Sequence, residues 1–225
     1  MSTMRLEKQG SVFVLTLSNG AAGNVLNDAV LMEYHQVMDR IDLEPGNAAL
    51  IITSDDPKCF SNGIDLPWLV QQPNPMDFIT RLENFFVRLG LLNVPVIAAI
   101  NGNAYAGGAL IATCADLRLM RVDRGRFCYS EVKVKMPFTP GLLDIVRLLP
   151  NIEAQQELAL TGNAWGGEEC AKRGVVHHAV SAEALIPAAL ALAEDMATRD
   201  RGTYAAIKRG LRPALVALAR QRGTL

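Results

Sequence analysis

Two adjacent glycines, Gly107 and Gly108, open a predicted helix directly after a buried strand and a short loop. The strand is PVIAAI (95–100) and the loop is NGNAYA (101–106). Glycine in a helix costs about 1 kcal/mol relative to alanine, so a pair at this position needs a physical reason. Either a ligand oxygen approaches the unpaired amides of the helix start, or the helix packs too closely on the sheet for side chains. The glycine pair alone leaves both explanations open.

Strand-like and helix-like apolar patterns alternate along the chain, which predicts an α/β fold. Predicted strands are VFVLTL (12–17), AALIIT (48–53), PVIAAI (95–100), DLRLMR (116–121) and VVHHAV (175–180). Predicted helices are a segment from the N-cap Asn27 to Leu43, then 76–92, 142–149, 153–161, 168–173, 182–198 and 203–220. We therefore expect a core at residues 1–150 and a helical region at 151–225.

Composition and charge argue against several classes of protein. The 225 residues have a formal net charge of −1 and no basic block of the kind that binds nucleic acid. The apolar runs are too short to span a membrane, and the first ten residues lack the apolar core of a secretion signal. The four cysteines have no CxxC spacing, so we expect reduced thiols in a cytoplasmic protein. The histidines do not suggest a metal site.

A second glycine-containing loop, KCFSNGIDL (58–66), follows the strand at 48–53. Two strands that each lead into a glycine loop, in this spacing, resemble the enoyl-CoA hydratase/isomerase family, also called the crotonase family. Further stretches similar to that family are GNVLNDAVLMEY, VPVIAAINGNAYAGGALIATCADLRLM, RFCYSEVKV and ALTGNAWGGEECAKRGVVHHAV. The resemblance covers roughly residues 10 to 210, with the motifs in family order.

The resemblance implies a crotonase-like ββα spiral core with a helical C-terminal region used in trimer assembly. It also implies an acyl-CoA thioester substrate, with no cofactor beyond the CoA moiety of that substrate. Ile64 and Gly107 match the residues whose backbone amides form the family's oxyanion hole, which stabilises an enolate. The positions that the resemblance assigns to substrate binding are Val25, Ile64, Asp65, Leu66 and Gly108.

The acid–base positions distinguish the branches of the family. Hydratases use two glutamates, and the matching residues here are Leu110 and Glu131. Adding water requires one carboxylate to activate water and another to deliver a proton, whereas moving a 3,4 double bond to the 2,3 position requires only one. We therefore expect a Δ3,Δ2-enoyl-CoA isomerase in which Glu131 shuttles the proton and apolar Leu110 excludes water and raises the glutamate's pKa.

Two further segments favour the isomerase branch. KMPFTPG (135–141) departs from the glycine-rich stretch typical of hydratases, and LMRVDRGRFCYSEV (119–132) resembles the peroxisomal plant isomerases. A hydratase, another thioester enzyme such as a hydrolase, and a non-catalytic acyl-CoA binder remain as alternatives. The acyl-chain length depends on how residues 66–90 fold over the pocket, so the sequence does not determine it.

Other charged residues have simpler interpretations. Asp65 and Asp116 are expected to act as capping or turn residues, and Asp144 could face the site from its helix. Lys58 and Lys208 could meet the CoA phosphates, although lysines are more often solvated. A role as a surface or capping carboxylate is also the commonest one for a glutamate such as Glu131.

The helices after residue 140 carry extensive apolar faces. The stretch AEALIPAALALAEDMA (182–197) has the most apolar of these faces. Because a small helical region cannot bury such faces on itself, we expect a homotrimer or a dimer of trimers, in which closed symmetry covers them.

Overall fold

Two β-sheets carry the strands of the structure, a computed structural model that describes residues 2–224. The strands are β1 (Met4–Gln9), β2 (Val12–Leu17), β3 (Ala49–Ser54), β4 (Cys59–Ser61), β5 (Val96–Ile100), β6 (Asn103–Tyr105), β7 (Leu117–Arg121), β8 (Phe127–Cys128) and β9 (His178–Val180). The larger sheet has the order β1-β2-β3-β5-β7-β9 and is parallel except for the β1–β2 pair. The smaller sheet, β4-β6-β8, is parallel throughout.

Helices connect the strands and dominate the chain after residue 140. They are α1 (Asp28–Asp42), α2 (Leu66–Leu69), α3 (Pro75–Gly90), α4 (Gly107–Cys114), α5 (Pro140–Val146), α6 (Ile152–Thr161), α7 (Gly167–Lys172), α8 (Ala182–Met196), α9 (Arg201–Leu211) and α10 (Pro213–Gln221). The predicted N-cap of the first helix is confirmed, since the Asn27 side chain accepts a hydrogen bond from the Val30 amide at 3.1 Å.

A repeating connection links the two sheets. One strand enters the larger sheet, the next enters the smaller sheet, and a helix follows before the chain returns. The sequence β3–β4–α2–α3 makes one such turn, and β5–β6–α4 and β7–β8–α5 make the next two. This is the ββα spiral that the resemblance implied, and the α/β class is confirmed.

Strands β2, β3 and β5 of the larger sheet are buried on both faces, as expected for a mainly parallel sheet, whereas the edge strand β1 is largely exposed. Alternate residues of each strand point to opposite faces, so Leu50 and Ile52 join the main core while Ile51 joins a second cluster. Helix α8 covers that second face through Leu185 and Ala189. The apolar face of residues 182–197, which we had expected to support assembly, is therefore covered by this chain's own sheet, because strand alternation leaves apolar residues on that side.

The boundaries of several elements differ from prediction. The helix predicted at 203–220 is two helices, α9 and α10, because Arg212 precedes Pro213 and a residue before proline disfavours the helical conformation. The loop predicted at 101–106 contains the short strand β6. Strand β9 covers only the second half of the predicted 175–180. In residues 2–224, no helix is long and apolar enough to cross a membrane.

Candidate active site

A cavity of about 410 Å³ lies between the start of α4, helix α3 and the segment before α5. Its lining is largely apolar, with side chains that include Leu66, Ile79, Leu82, Leu110, Phe138 and Leu142. Ile64, Gly107 and Glu131, the three residues expected to carry catalysis, all line this one cavity. The fold thus brings together residues that are far apart in sequence.

The backbone around Ile64 leaves its amide directed away from the neighbouring chain. Leu26 donates its amide to the Gly63 carbonyl at 2.8 Å and accepts from the Asp65 amide at 2.9 Å. In such a parallel bridge, the residue between the two bonded positions points its own N–H to the opposite side. In the described part of the chain, this Ile64 N–H has no protein acceptor.

The amide of Gly107 lies beside the same turn. Gly63 has a φ of +81°, and a Cβ placed on it would lie 2.6 Å from the Gly107 nitrogen. Only glycine therefore fits at 63, both for its backbone conformation and for its close approach to α4. As the first helical residue, Gly107 has no partner for its N–H within α4.

Ala106 holds the start of α4 in a strained conformation. Its φ is +48°, a region that non-glycine residues rarely adopt, and its own amide donates to the Cys128 carbonyl at 2.9 Å. The strain turns the chain so that helix α4 starts at the cavity wall. Backbone strain of this kind is typical of functional sites.

The two glycines at the start of α4 have different surroundings. A Cβ on Gly108 would lie 2.1 Å from the Ser61 carbonyl oxygen, so Gly108 allows the helix to pack against β4. Gly107 lines the cavity, whereas Gly108 does not. A Cβ on Gly107 would lie 3.0 Å from Leu26 Cδ1 and 3.1 Å from Gly63 Cα, so close packing explains both glycines, and Gly107 alone also borders the cavity.

Glu131 enters the cavity from a segment of turns that we call the Glu131 segment (residues 130–139). The backbone carbonyl of Glu131 accepts from the Met136 amide at 3.0 Å, which closes the turn. Its Oε2 atom is buried without a hydrogen-bond partner in the described chain. Burial raises the pKa of Glu131 to about 7, and its own backbone amide opposes that rise less strongly.

Leu110 occupies the wall one turn into α4. Its side chain is 2% exposed and lines the same cavity as Glu131. Among residues 2–224, Glu131 is the only carboxylate in the cavity lining. The arrangement therefore combines two amides without protein acceptors and one weakly acidic carboxyl group in a largely apolar cavity, which suits removal and return of a proton next to a carbonyl.

The residues expected to bind substrate separate into two groups. Ile64 and Leu66 line the cavity. Val25, Asp65 and Gly108 lie outside its lining, and the Asp65 carboxylate caps α2 by accepting from the Trp68 amide at 3.1 Å. The interpretation of Asp65 as a capping residue is thus supported by its contacts.

Lys208 and Asp116 form part of a buried ion cluster away from the cavity. Lys208 is 4% exposed, its Nζ lies 2.7 Å from Asp116 Oδ2, and it donates to the Leu92 carbonyl at 2.8 Å. Arg212 pairs with the other oxygen of Asp116 at 2.9 Å. The expectation that Lys208 could meet CoA phosphates is wrong, because Asp116 and backbone carbonyls bind its ammonium group in the interior.

Asp144 and Lys58 also lie outside the cavity lining. Asp144 pairs with Arg147 at 2.7 Å, one turn further along. The four cysteines are free and buried, which confirms the expected core thiols. Within residues 2–224, no group of three or more histidine, cysteine or acidic side chains is arranged to hold a metal ion.

The sequence did not identify several residues around Glu131. Phe138 and Thr139 line the cavity, and the Phe138 ring packs edge-on against Tyr129 with centroids 5.9 Å apart. The Tyr129 hydroxyl lies 2.6 Å from the Thr113 hydroxyl. Thr139 followed by Pro140 is a helix-start signal that could have located one end of this wall.

Comparisons with known proteins agree with this architecture. The family model described as enoyl-CoA hydratase/isomerase matches residues 7–223. "Enoyl-CoA delta isomerase 3" of Arabidopsis thaliana is 32% identical over 223 residues, which cover 93% of this chain and 92% of the relative. "Probable enoyl-CoA hydratase echA8" of Mycobacterium leprae is 28% identical over 200 residues, covering 88% of this chain and 77% of the relative.

The fold itself has close counterparts among solved structures. The crystal structure of the probable enoyl-CoA hydratase EchA3 of Mycobacterium tuberculosis has a TM-score of 0.88 at 24% identity, covering 98% of this chain and 92% of that one. At that identity the likeness concerns the fold alone. The family match over nearly the whole chain, with a relative above 30% identity, shows that the chain belongs to the enoyl-CoA hydratase/isomerase family.

Proposed function

We propose that this protein is a Δ3,Δ2-enoyl-CoA isomerase, which moves the 3,4 double bond of an acyl-CoA thioester to the 2,3 position. One observation carries the proposal: Glu131, whose Oε2 is buried, is the single carboxylate in the described cavity lining and shares it with Leu110 instead of a second acid. The family relationship supports the acyl-CoA thioester as the substrate class.

In the proposed first step, the Glu131 carboxylate takes a proton from C2 of the 3-enoyl thioester. The electron pair of the broken C2–H bond delocalises into the thioester carbonyl and gives a dienolate. A base whose pKa is raised to about 7 is a stronger proton acceptor than an ordinary glutamate, which favours this step. The unpartnered Oε2 is the oxygen available for the transfer.

The amides of Ile64 and Gly107 are proposed to donate to the enolate oxygen. Both residues line the cavity, and neither N–H has a protein acceptor in the described chain. A preorganised donor of this kind typically contributes about 3 kcal/mol to the transition state, because the charge appears only during the reaction. Glu131, now protonated, then returns the proton at C4, and the double bond forms between C2 and C3.

Leu110 separates this proposal from hydration. A hydratase must hold and activate water next to C3, which requires a second polar group beside the first carboxylate. The Leu110 side chain offers no hydrogen bond and is nearly fully buried. Its apolar surface favours exclusion of water from the dienolate, so protonation at C4 has no competing addition of water.

Further substrate contacts and the assembly state belong to the same proposal. Leu66 in the cavity lining, and Val25, Asp65 and Gly108 outside it, are proposed to contact the substrate, with no cofactor beyond its CoA moiety. The proposed homotrimer or dimer of trimers now depends on the family relationship and on exposed apolar side chains such as Ile207 and Leu211 of α9. Sedimentation at micromolar concentration tests it, and a monomer would contradict it.

A panel of thioesters tests the proposed activity. Wild-type protein is expected to convert 3-enoyl-CoA with a rise in the absorbance of the conjugated thioester, and to leave 2-enoyl-CoA and saturated acyl-CoA unchanged. Glu131→Gln should retain acyl-CoA binding but lose about 10²-fold or more of the turnover, the usual contribution of a positioned base. Undiminished turnover in this variant, or faster hydration than isomerisation in wild type, would refute the proposal.

A further inference from the structure

Glu83 of α3 is a buried carboxylate that the proposed chemistry does not use. It is 6% exposed, and it accepts hydrogen bonds from the Thr139 hydroxyl and from the Arg222 guanidinium. A Cβ on Gly141 would lie 2.9 Å from the Glu83 carboxyl carbon, so the chain leaves space there for the carboxylate. A buried charge is costly unless it is paired, and each Glu83 oxygen has its own partner.

The hydrogen bond from Thr139 connects the Glu83 carboxylate to the C-terminal end of the Glu131 segment. Its side chain lines the cavity, and its hydroxyl also caps α5 by accepting from the Leu142 amide at 3.3 Å. Between the two ends, residues 132–135 are exposed and form turns. Side chains at the ends, Tyr129 before the segment and Thr139 at its close, therefore connect it to the core.

Arg222, the residue directly after α10, contacts Glu83 from the C-terminal end of the chain. Its guanidinium bonds Glu83 and also donates to Asn84 Oδ1 at 2.7 Å. Leu215 and Ala219 of α10 are buried in the main core, so the helix that presents Arg222 is itself fixed. The three residues Glu83, Thr139 and Arg222, which we call the Glu83 clasp, connect three distant parts of the chain at the cavity wall.

We propose that Glu83 is a positioning residue for Glu131, and that Arg222 is required for it to act as one. The inference rests on the proposed function, in which Glu131 is the base. Residues 132–135 of the segment are exposed, and its backbone bonds are local ones within the turns. Loss of the clasp therefore frees Thr139 and lets the carboxylate of Glu131 move relative to the two amides. Displacement of a reacting group by about 1 Å can cost up to 10²-fold in rate.

The buried cluster at Asp116 provides a matched control. Arg212, like Arg222, pairs with a buried acid and also donates to backbone carbonyls, but neither Arg212 nor Asp116 lines the cavity or touches the Glu131 segment. Arg222→Met and Arg212→Met both remove a buried ion pair. They differ in whether that pair holds the Glu131 segment, and in Arg212→Met the Asp116 carboxylate keeps its ion pair with Lys208.

The test measures turnover of 3-enoyl-CoA and amide hydrogen exchange of residues 131–138 in both variants. Arg222→Met is expected to lower kcat about tenfold with KM changed less than about twofold, and to speed exchange in the segment. Arg212→Met should lower the Tm without changing kcat or that exchange. Arg222→Lys should recover part of the kcat, because it restores a cation at the clasp.

A second pair of variants covers the case in which Arg222→Met does not fold. Thr139→Val removes the hydroxyl at nearly constant shape and should reproduce the kcat loss, whereas Thr139→Ser keeps the hydroxyl and should remain within about twofold of wild type. Wild-type kcat and unchanged exchange in Arg222→Met or Thr139→Val would overturn the clasp. Absence of isomerase turnover in the wild-type protein would instead refute the proposed function. In that case, faster exchange of residues 131–138 in Arg222→Met, but not in Arg212→Met, would still support the clasp.

Discussion

The two sides of the cavity present different kinds of polar group, backbone amides on one side and a side-chain carboxylate on the other. On one side, backbone amides at Ile64 and Gly107 are fixed by strand pairing, by a glycine at positive φ and by a helix start. On the other side, one side chain, Glu131, projects from a segment of turns that is held by its own backbone bonds, by Met136 and Phe138 against the core, and by side-chain bonds at its ends. The comparison shows that the two amides proposed to stabilise charge are part of the backbone of the fold, whereas the position of the proposed base depends on tertiary contacts of one segment.

This difference predicts how each side responds to substitution. Changes on the amide side should remove a donor without moving its surroundings. Changes on the base side should alter the protonation state of Glu131 or the position of its carboxylate. The predictions below test that division, from the largest expected effect on turnover to the smallest.

Ile64→Pro removes the amide that we propose to hold the enolate oxygen. The bridge hydrogen bonds come from Leu26 and Asp65, so they are not lost with it. We expect kcat to fall about 10²-fold, while affinity for free CoA changes little, because the donor acts mainly on the developing charge. Steady-state kinetics and calorimetric titration with CoA measure the two effects.

Ile64→Ala is the control for that prediction, since it keeps the N–H and shortens only the side chain. It should remain much closer to wild type in kcat than the proline variant. Equal losses of substrate and CoA affinity with unchanged kcat in Ile64→Pro would contradict the role of the amide.

The pH dependence of kcat/KM tests the base side. Only ionised Glu131 can take the C2 proton, and burial raises its pKa to about 7. The ionised fraction falls as the pH drops below that value, so kcat/KM should decrease about tenfold per pH unit below 7 and level off above it. A rate profile from pH 5.5 to 8.5 measures this, and a flat profile across that range would exclude Glu131 as the base.

Leu110→Glu adds a second carboxylate to the cavity wall. Two neighbouring carboxylates oppose each other's ionisation, so the pKa of Glu131 should rise further and isomerisation at pH 7 should fall severalfold. Burial of the new charge should also lower stability. Trace hydration of 2-enoyl-CoA is expected, seen as slow loss of the conjugated absorbance.

Leu110→Gln separates charge from polarity in that experiment. It adds a polar group of similar size, so it should lower stability without producing hydration. Hydration of equal rate in both variants would mean that space for water, rather than a second acid, separates the two reactions.

Asp144→Asn should have the smallest effect. Its carboxylate pairs with Arg147 near the surface and does not line the cavity, and exposed ion pairs contribute about 1 kcal/mol or less. We expect kcat within about twofold of wild type and a nearly unchanged Tm. A large loss of turnover would mean that a second carboxylate takes part in the reaction. Glu131 would then not be the single acid–base group on its side of the cavity.

Local signals predict the backbone of the amide side, whereas the proposed roles of its amides come from the resemblance to the family. Asn62–Gly63 is a turn signal, and Gly107 follows a buried strand and a loop at a predicted helix start. Glu131 was found only through its similarity to a family motif. Nothing in the residues around it reveals burial, which depends on walls supplied by α3 and α4.

Contacts between distant segments explain what the sequence did not predict. Lys208 resembles a solvated lysine, but its partner carbonyl on Leu92 lies 116 residues earlier. Gly108 is needed because of Ser61, and the Glu83 clasp joins α3 to Arg222. Strands as short as β8, with two residues, cannot show an alternating pattern and form because a neighbouring strand is already in place.

The cover that α8 provides for the larger sheet has a consequence for how the protein folds during synthesis. The strands that carry the cavity are made first, but β9 and α8 emerge from the ribosome only after residue 178. Until then, one apolar face of the sheet, including Ile51 and Ile97, has no cover. Nascent chains with exposed apolar surface are prone to aggregate and to engage chaperones. Synthesis of the chain from residue 178 onward therefore determines when this apolar face of the sheet is covered and no longer available for misassembly.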